Sequence, residues 1–289
     1  MAQARLIKSR IKSATNIAKI TKAMEMVAAS KMRRAQEQAL SSRPYTHKLV
    51  EMLHTIASFT DSSMHPLLSE AKNLNAPALV VLVSTDKGLA GALNANLFRA
   101  TLELMLQFKK PHIVAIGKRA KDFALKSGIP MAAQFEGMPD RLTLNDILPI
   151  TEVFVDGFLK GEFSSIHSVH MQFVSTLTQK PESHQILPVA VTEMDKPVRQ
   201  AQGKQEYIFE PNPNEILSLL LRYYIENGFF QTMLEAKASE HSARMVSMKN
   251  ASDNAKDIVG SLKLEYNKSR QAGITSELLD ITTASLALN

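Results

Sequence analysis

The chain has 289 residues, of which 45% are apolar, enough for one or two globular domains with a substantial core. It contains no cysteine, which excludes disulfides, thiol catalysis and thiolate metal sites and favours a reducing compartment. The longest apolar run, residues 76–83, is far shorter than the roughly 20 residues needed to cross a bilayer. Any membrane role must therefore come through a partner.

Positive charge is concentrated at the N-terminus. The first 43 residues carry ten Lys and Arg against two acidic residues, a net charge of +8, whereas the whole chain carries +6. Such a segment is typical of a transit peptide, a nucleic-acid-binding arm or a helix that contacts an acidic protein. A transit peptide is disfavoured because the apolar period continues to Ala39. Nucleic-acid binding is disfavoured because aromatic residues are not interleaved with the basic ones.

The N-terminal segment predicts a long helix with a heptad seam. Small and apolar residues recur in a 4,3 alternation, which brings them to one face of a helix. Pro44 is expected to end or kink this helix, and a helical spacing resumes over residues 49–59. The seam positions are Ile7, Ile11, Ala14, Ala18, Ala28, Met32, Ala35 and Ala39.

The middle of the chain alternates short β-rich runs with helical patterns. Strands are predicted at residues 78–83, 112–116 and 166–174, and helices at 89–108, 119–126 and 146–160. This βαβα order predicts an open α/β domain with a parallel sheet. Residues 178–205 are polar and contain three prolines, which suits loops with one further strand.

Candidate chemistry in this region is weak. Residues 84–91, STDKGLAG, follow a predicted strand and open a helix, where backbone amides could hold a phosphate, but no phosphate-binding glycine motif is present. A tight turn that packs strand against helix is the simpler interpretation. His167 and His170 lie three apart on a predicted strand, so their rings should point to opposite faces, which spoils metal ligation.

The C-terminal segment predicts a second, longer helix. Asn212, Pro213 and Glu215 stand at N-cap, N1 and N3, and no proline follows. An uninterrupted helix to residue 289 would reach roughly 110 Å. Its expected seam is Met248, Ala251, Ala255, Ile258, Leu262, Glu265, Ser269, Ala272, Ser276 and Leu279.

Two seams predict one coiled coil. Because the first helix enters the central domain and the last one leaves it, the two should pair antiparallel, with the longer C-terminal helix projecting as a single tip. The expected fold class is α+β or α/β: a long antiparallel coiled coil of the terminal helices with a central Rossmann-like open α/β domain. The predicted segments are residues 1–60, 76–205 and 212–289.

Four stretches carry a family resemblance. Residues 20–36, ITKAMEMVAASKMRRAQ, closely resemble the N-terminal signature of the gamma subunit of F-type ATP synthases. Residues 84–98, 207–211 (YIFEP) and 239–279 are similar to later segments of that family, in the same order. The chain departs from the family at Ala90-Gly91-Ala92, where members often have Cys-Gly-Gly, and at Ala284-Ser285, where members often have Gly-Ala.

The resemblance implies a rotor shaft that performs no bond chemistry. Its coiled coil would stand inside a ring of three alpha and three beta subunits, and its α/β domain would grip epsilon and the membrane ring of c subunits. Rotation driven by ion flow would couple to ATP synthesis or hydrolysis on the beta subunits. The implied location is the cytoplasmic side of a bacterial inner membrane, as a peripheral protein. No cofactor and no metal ion is expected.

The resemblance also implies roles for individual residues. Lys22, Met24 and Arg33 would face the acidic lever loop of a beta subunit. Arg244, Gln271 and Thr275 match positions that hydrogen-bond a beta catch loop. The foot that meets the c ring and epsilon would include Tyr207 and Glu210.

Two alternatives remain from the residues alone. One is a nucleotide-binding α/β enzyme that uses the turn at residues 86–91. The other is a nucleic-acid-binding coiled-coil protein that uses the basic N-terminal helix.

Overall fold

A computed structural model describes residues 2–57, 65–189, 210 and 212–287. The helices in these residues are α1 (Ala2–Ala57), α2 (Leu93–Met105), α3 (Lys118–Ser127), α4 (Leu144–Lys160) and α5 (Pro213–Ala287). The strands are β1 (Ala78–Val83), β2 (His112–Ile116), β3 (Met131–Phe135), β4 (Ser165–Phe173) and β5 (Gln179–Leu187). None of the described helices combines the length and apolar content that a membrane span requires.

The chain divides into two compact units. The helix-pair unit consists of Met1–Ala29 and Arg244–Asn289, and the sheet unit consists of Ser30–Ala243. Each of the two long helices, α1 and α5, has one part in the helix-pair unit and another part in the sheet unit.

The sheet unit is built on a five-stranded sheet of order β3-β2-β1-β4-β5. Strands β1 to β4 pair in parallel, as the βαβα order predicts, and β5 runs antiparallel to β4. Pro181 lies in β5, where an edge strand tolerates the missing amide, since only one side of that strand needs ladder hydrogen bonds. The sheet is therefore mixed rather than purely parallel.

Helices cover both faces of this sheet. On β1 every residue is buried, because Leu79, Val81 and Val83 face one helical layer while Val80 and Leu82 face the other. The first layer consists of α4 with the sheet-unit parts of α1 and α5, and the second consists of α2 and α3. Burial on both sides explains why β1 reads as an unbroken apolar run.

Helix α1 continues through Pro44, which the sequence marks as an end or a kink. A proline inside a helix removes one backbone hydrogen bond and costs about 3 kcal/mol. Here Ala39 on one side of the proline and Leu53 and Ile56 on the other are buried in the same core cluster. The packing of both flanking segments offsets the local cost, so the helix does not end there.

The start of α5 has the predicted N-cap, Asn212. The Glu215 amide donates to Asn212 Oδ1 at 3.0 Å, and Asn212 Nδ2 donates to Glu215 Oε1 at 2.6 Å. One backbone amide of the first turn is therefore satisfied by the N-cap side chain, and the bond between the two side chains holds that cap in place.

Two elements differ from the sequence expectation. Helix α2 begins at Leu93 rather than near residue 89, because Leu89 and Gly91 have positive φ values of 62° and 59° and form a turn. Strand β3 was not predicted, since its sequence MAAQF has no β-branched residue and its side chains alternate between partly buried and exposed.

Gly117 links β2 to α3 in a conformation reserved for glycine, with φ 88° and ψ 148°. An added Cβ would lie 2.5 Å from the Ser84 carbonyl oxygen. We expect Gly117→Ala to lower the free energy of unfolding by more than about 2 kcal/mol, because strain and a backbone clash add. Urea denaturation measures the change.

Gly128→Ala is the matched control for this substitution. Gly128 also has a positive φ, 64°, but an added Cβ would meet no atom within 4 Å. The control should lose only about 1 kcal/mol. If both variants lose the same free energy of unfolding, the close approach of Gly117 to the Ser84 carbonyl adds nothing to the cost of the substitution.

Candidate functional site

In the helix-pair unit, α1 and α5 pack against each other through small side chains. Ala28, Met248, Ser252 and Ala255 are all buried. Ser252 Oγ donates a hydrogen bond to the Ala18 carbonyl at 3.3 Å. Toward the start of α1, Arg5 and Lys8 line a groove with α5 residues 266–277, so the helices run antiparallel, as predicted.

The α1 side of the seam is confirmed position by position. Every predicted residue from Ile7 to Ala39 is buried or half-buried, whereas the basic residues beside them are mostly exposed. Small side chains at these positions allow the two backbones to approach closely.

The predicted seam of α5 is wrong in part. Ile258, a predicted seam residue, is 53% exposed, and the predicted seam residues Glu265, Ala272, Ser276 and Leu279 are exposed as well. The covered positions are instead Val259, Tyr266 and Gly273, each one residue later. At one of these positions the side chains give a reason, because Tyr266 offers more apolar surface to bury than Glu265 does.

Beyond Gly273 the described side chains of α5 are exposed through Thr283. They include Leu278, Leu279 and Ile281, which are 58–66% exposed. A run of exposed apolar side chains on one helix indicates a surface that a partner covers.

A second exposed apolar surface lies on α1. Ile17, Ile20 and Val27 are 53–60% exposed, and with half-buried Met24 they follow the spacing i, i+3, i+7, i+10. That spacing places the four side chains on one helical face, which we call the α1 stripe. Ile17, Ile20 and Val27 are not among the predicted contact residues, although this spacing could have revealed them.

The three predicted lever residues are all on α1. Lys22 is exposed and pairs with Glu25 at 2.9 Å, Met24 belongs to the α1 stripe, and Arg33 is exposed. Lys22 and Met24 lie in the helix-pair unit, and Arg33 lies in the sheet unit. The Lys22–Glu25 pair reduces the charge that Lys22 presents.

The three predicted catch residues do not come together. Gln271 and Thr275 are exposed neighbours one turn apart, and Thr275 Oγ1 donates to the Gln271 carbonyl at 3.0 Å. Arg244 is only 9% exposed and precedes Gln271 by 27 residues of the same helix. At 1.5 Å per residue the separation is roughly 40 Å, so one short loop cannot reach all three.

Of the predicted foot residues, Glu210 is exposed. Tyr207 lies outside the described residues.

The turn after β1 uses its polar groups to join elements of the sheet unit. Ser84 Oγ accepts from the Ala120 amide at 2.7 Å, and Asp86 Oδ1 accepts from the Lys118 amide at 3.0 Å. Asn94 Nδ2 donates to the buried Thr85 Oγ1 at 2.8 Å. These bonds hold β1, α2 and α3 together, so the packing interpretation of residues 84–91 is supported.

Helix α5 fills the crevice beside this turn. Met233, Ala236, Lys237 and Glu240 line the cavity next to Thr85, and the cavity holds only about 20 Å³. Ligand pockets typically measure about 300–1,000 Å³. A nucleotide has no room at this edge of the sheet, which disfavours the nucleotide-binding enzyme.

The basic side of α1 is partly neutralised within the sheet unit. Lys31 Nζ lies 2.6 Å from Asp140 Oδ2, and His241 Nε2 lies 3.6 Å from Asp140 Oδ1. Partial burial raises the pKa of Asp140, but the hydrogen bond and charge of Lys31, aided by His241 and Lys237, hold that pKa below its ordinary value. Asp140 therefore stays ionised beside Lys31.

Solved structures share this fold. A chain of the Euglena gracilis mitochondrial ATP synthase OSCP/F1/c-ring in rotational state 3 superposes with a TM-score of 0.69 at 17% identity, covering 99% of this chain and 95% of that one. A chain of the Tetrahymena thermophila mitochondrial ATP synthase central stalk and c-ring gives a TM-score of 0.60 at 19% identity, covering 81% of this chain and 99% of that one.

Sequence relatives are closer and span the full length. The ATP synthase gamma chain of Dehalococcoides mccartyi is 44% identical, that of Herpetosiphon aurantiacus 40% and that of Legionella pneumophila 38%, each covering 100% of both chains. The family model described as ATP synthase matches residues 3–288. This chain therefore belongs to the ATP synthase gamma chain family.

Proposed function

We propose that the chain is the central rotor shaft of an F-type ATP synthase. Full-length identity of 38–44% to ATP synthase gamma chains carries the proposal. The helix-pair unit supports it, because the α1 stripe and residues 274–283 expose apolar side chains that need covering partners. In this proposal alpha and beta subunits surround the helix pair.

The proposed mechanism is differential contact. One asymmetric helix pair inside a pseudo-threefold ring makes different contacts with each beta subunit, so each catalytic site favours a different conformation. When the shaft turns, each beta subunit passes in sequence through the three conformations. The chain itself forms and breaks no covalent bond in this scheme, and catalysis resides on the beta subunits.

The sheet unit would connect the shaft to epsilon and to the c ring, with Tyr207 and Glu210 at the foot. Ion flow through the c ring would then turn the chain. The solved relatives support these partners, since their assemblies are described as F1/c-ring and central stalk/c-ring complexes. The proposed location is peripheral, on the cytoplasmic side of a bacterial inner membrane.

We expect the purified chain to hydrolyse no ATP, and alpha and beta subunits to gain cooperative ATPase activity when it is added. Steady-state phosphate release from the separate and mixed subunits measures both quantities. Robust turnover by the chain alone, surviving removal of contaminants, would contradict the proposal.

Met24→Lys should reduce ion pumping per ATP hydrolysed, because it adds a positive charge to the α1 stripe, beside Lys22, where a beta subunit would pack. Proton uptake by vesicles carrying the whole complex measures the ratio. The Tm of the free chain should stay close to the wild-type value, because the substitution is expected to impair coupling more than folding.

Met26→Lys is the control for the charge itself. Met26 is 59% exposed and lies two residues on, roughly 200° around the helix from Met24. It should leave coupling near the wild-type value. If Met24→Lys, Met26→Lys and the wild type all pump the same number of ions per ATP, the α1 stripe makes no functional contact with a beta subunit.

Gln271→Ala combined with Thr275→Ala should slow ATP hydrolysis by the complex several-fold, because each lost hydrogen bond to a beta subunit is worth about 1 kcal/mol. Both side chains are exposed, so the free chain should keep its stability. Unchanged kcat in the assembled complex would show that this pair makes no functional contact.

A further inference from the structure

One short loop of the sheet unit is tied to both long helices. The loop lies between β3 and α4, and we call its residues 138–142 the strap. Lys237 of α5 donates from Nζ to the Met138 carbonyl at 3.1 Å. Gln38 of α1 donates from Nε2 to the Leu142 carbonyl. The two ends of the strap are therefore bound to different long helices.

Asp140, in the middle of the strap, is shared by the two helices. Its Oδ2 lies 2.6 Å from Lys31 Nζ on α1, and its Oδ1 lies 3.6 Å from His241 Nε2 on α5. The charge of Lys237 on α5 also acts on this carboxylate. Asp140 thus attracts cationic side chains from both helices, and its removal would leave those like charges facing each other.

The strap is fixed to the core at both ends but not at its centre. Leu142 is buried in the same cluster as Ala39 of α1 and Met233 of α5, and half-buried Met138 packs against that cluster. Asp140 and its neighbour in the strap instead line an open groove of about 680 Å³ beside α1. At its centre the strap therefore holds α1 by polar links rather than by close packing.

These links act near the ends of the sheet-unit parts of both helices. The sheet unit runs from Ser30 to Ala243, so Lys31 is its second residue and His241 is its third from last. A shaft made of two helices transmits torque only if neither helix slides or turns against the other. The strap binds both helices just before they pass into the helix-pair unit.

We propose that the strap is a torsional brace and that Asp140 is its positioning residue. In this role Asp140 holds α1 and α5 in register, so that torque applied to the sheet unit reaches both helices of the shaft. The inference rests on the proposed rotor function. Since an exposed ion pair adds little to the free energy of unfolding, the role separates from a contribution to stability.

The first test measures distances in the free full chain. Because the chain has no cysteine, spin labels can be placed on Arg33→Cys of α1 and Lys249→Cys of α5, both at exposed positions. We expect Asp140→Ala to broaden the distribution of distances between the labels while the Tm stays close to that of the labelled wild type. Pulsed electron paramagnetic resonance measures the distribution.

Glu136→Ala is the matched control. Glu136 belongs to the same loop and pairs with Lys121 of α3 at 2.8 Å, at an exposure similar to that of the Lys31–Asp140 pair. It makes no ion pair with a long helix among the described residues. The control should leave the distance distribution as in the wild type.

The second test uses the assembled complex. With the alpha and beta subunits fixed, a bead on Leu106→Cys reports the angle of the sheet unit, and its angular variance in a stalled complex rises as the shaft becomes softer. Asp140→Ala should raise this variance, and Glu136→Ala should not. If the wild-type bead does not turn with ATP, the rotor function is overturned and the torsional role with it, whereas a broadened distance distribution would still show the strap.

Two results would overturn the strap itself. One is a distance distribution and an angular variance in Asp140→Ala that equal those of the wild type. The other is equal broadening in Glu136→Ala, because the effect would then follow from the loss of any exposed ion pair of this loop.

Discussion

The structure depends on the close pairing of two helices through small residues. In the helix-pair unit Ala28, Ser252 and Ala255 are buried between α1 and α5, and the Ser252 hydroxyl donates to the Ala18 carbonyl. A seam so narrow covers only one face of each helix. The other faces keep exposed apolar side chains at Ile17, Ile20 and Val27, which is costly for a chain in water but suitable for a shaft enclosed by other subunits.

The same helix α5 determines what the sheet unit cannot do. An open parallel sheet normally offers a ligand crevice at the carboxyl ends of its strands, at the point where the strand order reverses. Here Met233 and Lys237 of α5 lie at that edge, beside Thr85, and the turn's polar atoms bind the starts of neighbouring elements. At the edge where such sheets usually bind a ligand, this sheet unit packs against a long helix instead.

The sequence predicted the elements whose signal is local. The α5 cap, strand β1 and the α1 seam all follow from short patterns around Asn212, Ala78–Val83 and Ile7–Ala39. It failed where packing or turn geometry decides, as in the one-residue shift of the α5 seam at Ile258 and the start of α2 at Leu93 rather than near residue 89. Partner contacts come only from family resemblance, since no periodicity encodes the shape of a neighbouring subunit.

Direct observation of rotation tests the central claim. The chain has no cysteine, so Leu106→Cys, at an 86% exposed position, places the only thiol of this chain in the sheet unit, where a bead can be attached. With the alpha and beta subunits fixed to a surface, the account predicts that ATP makes the bead turn continuously in one direction. A complex that hydrolyses ATP at full rate while the bead stays still would contradict it.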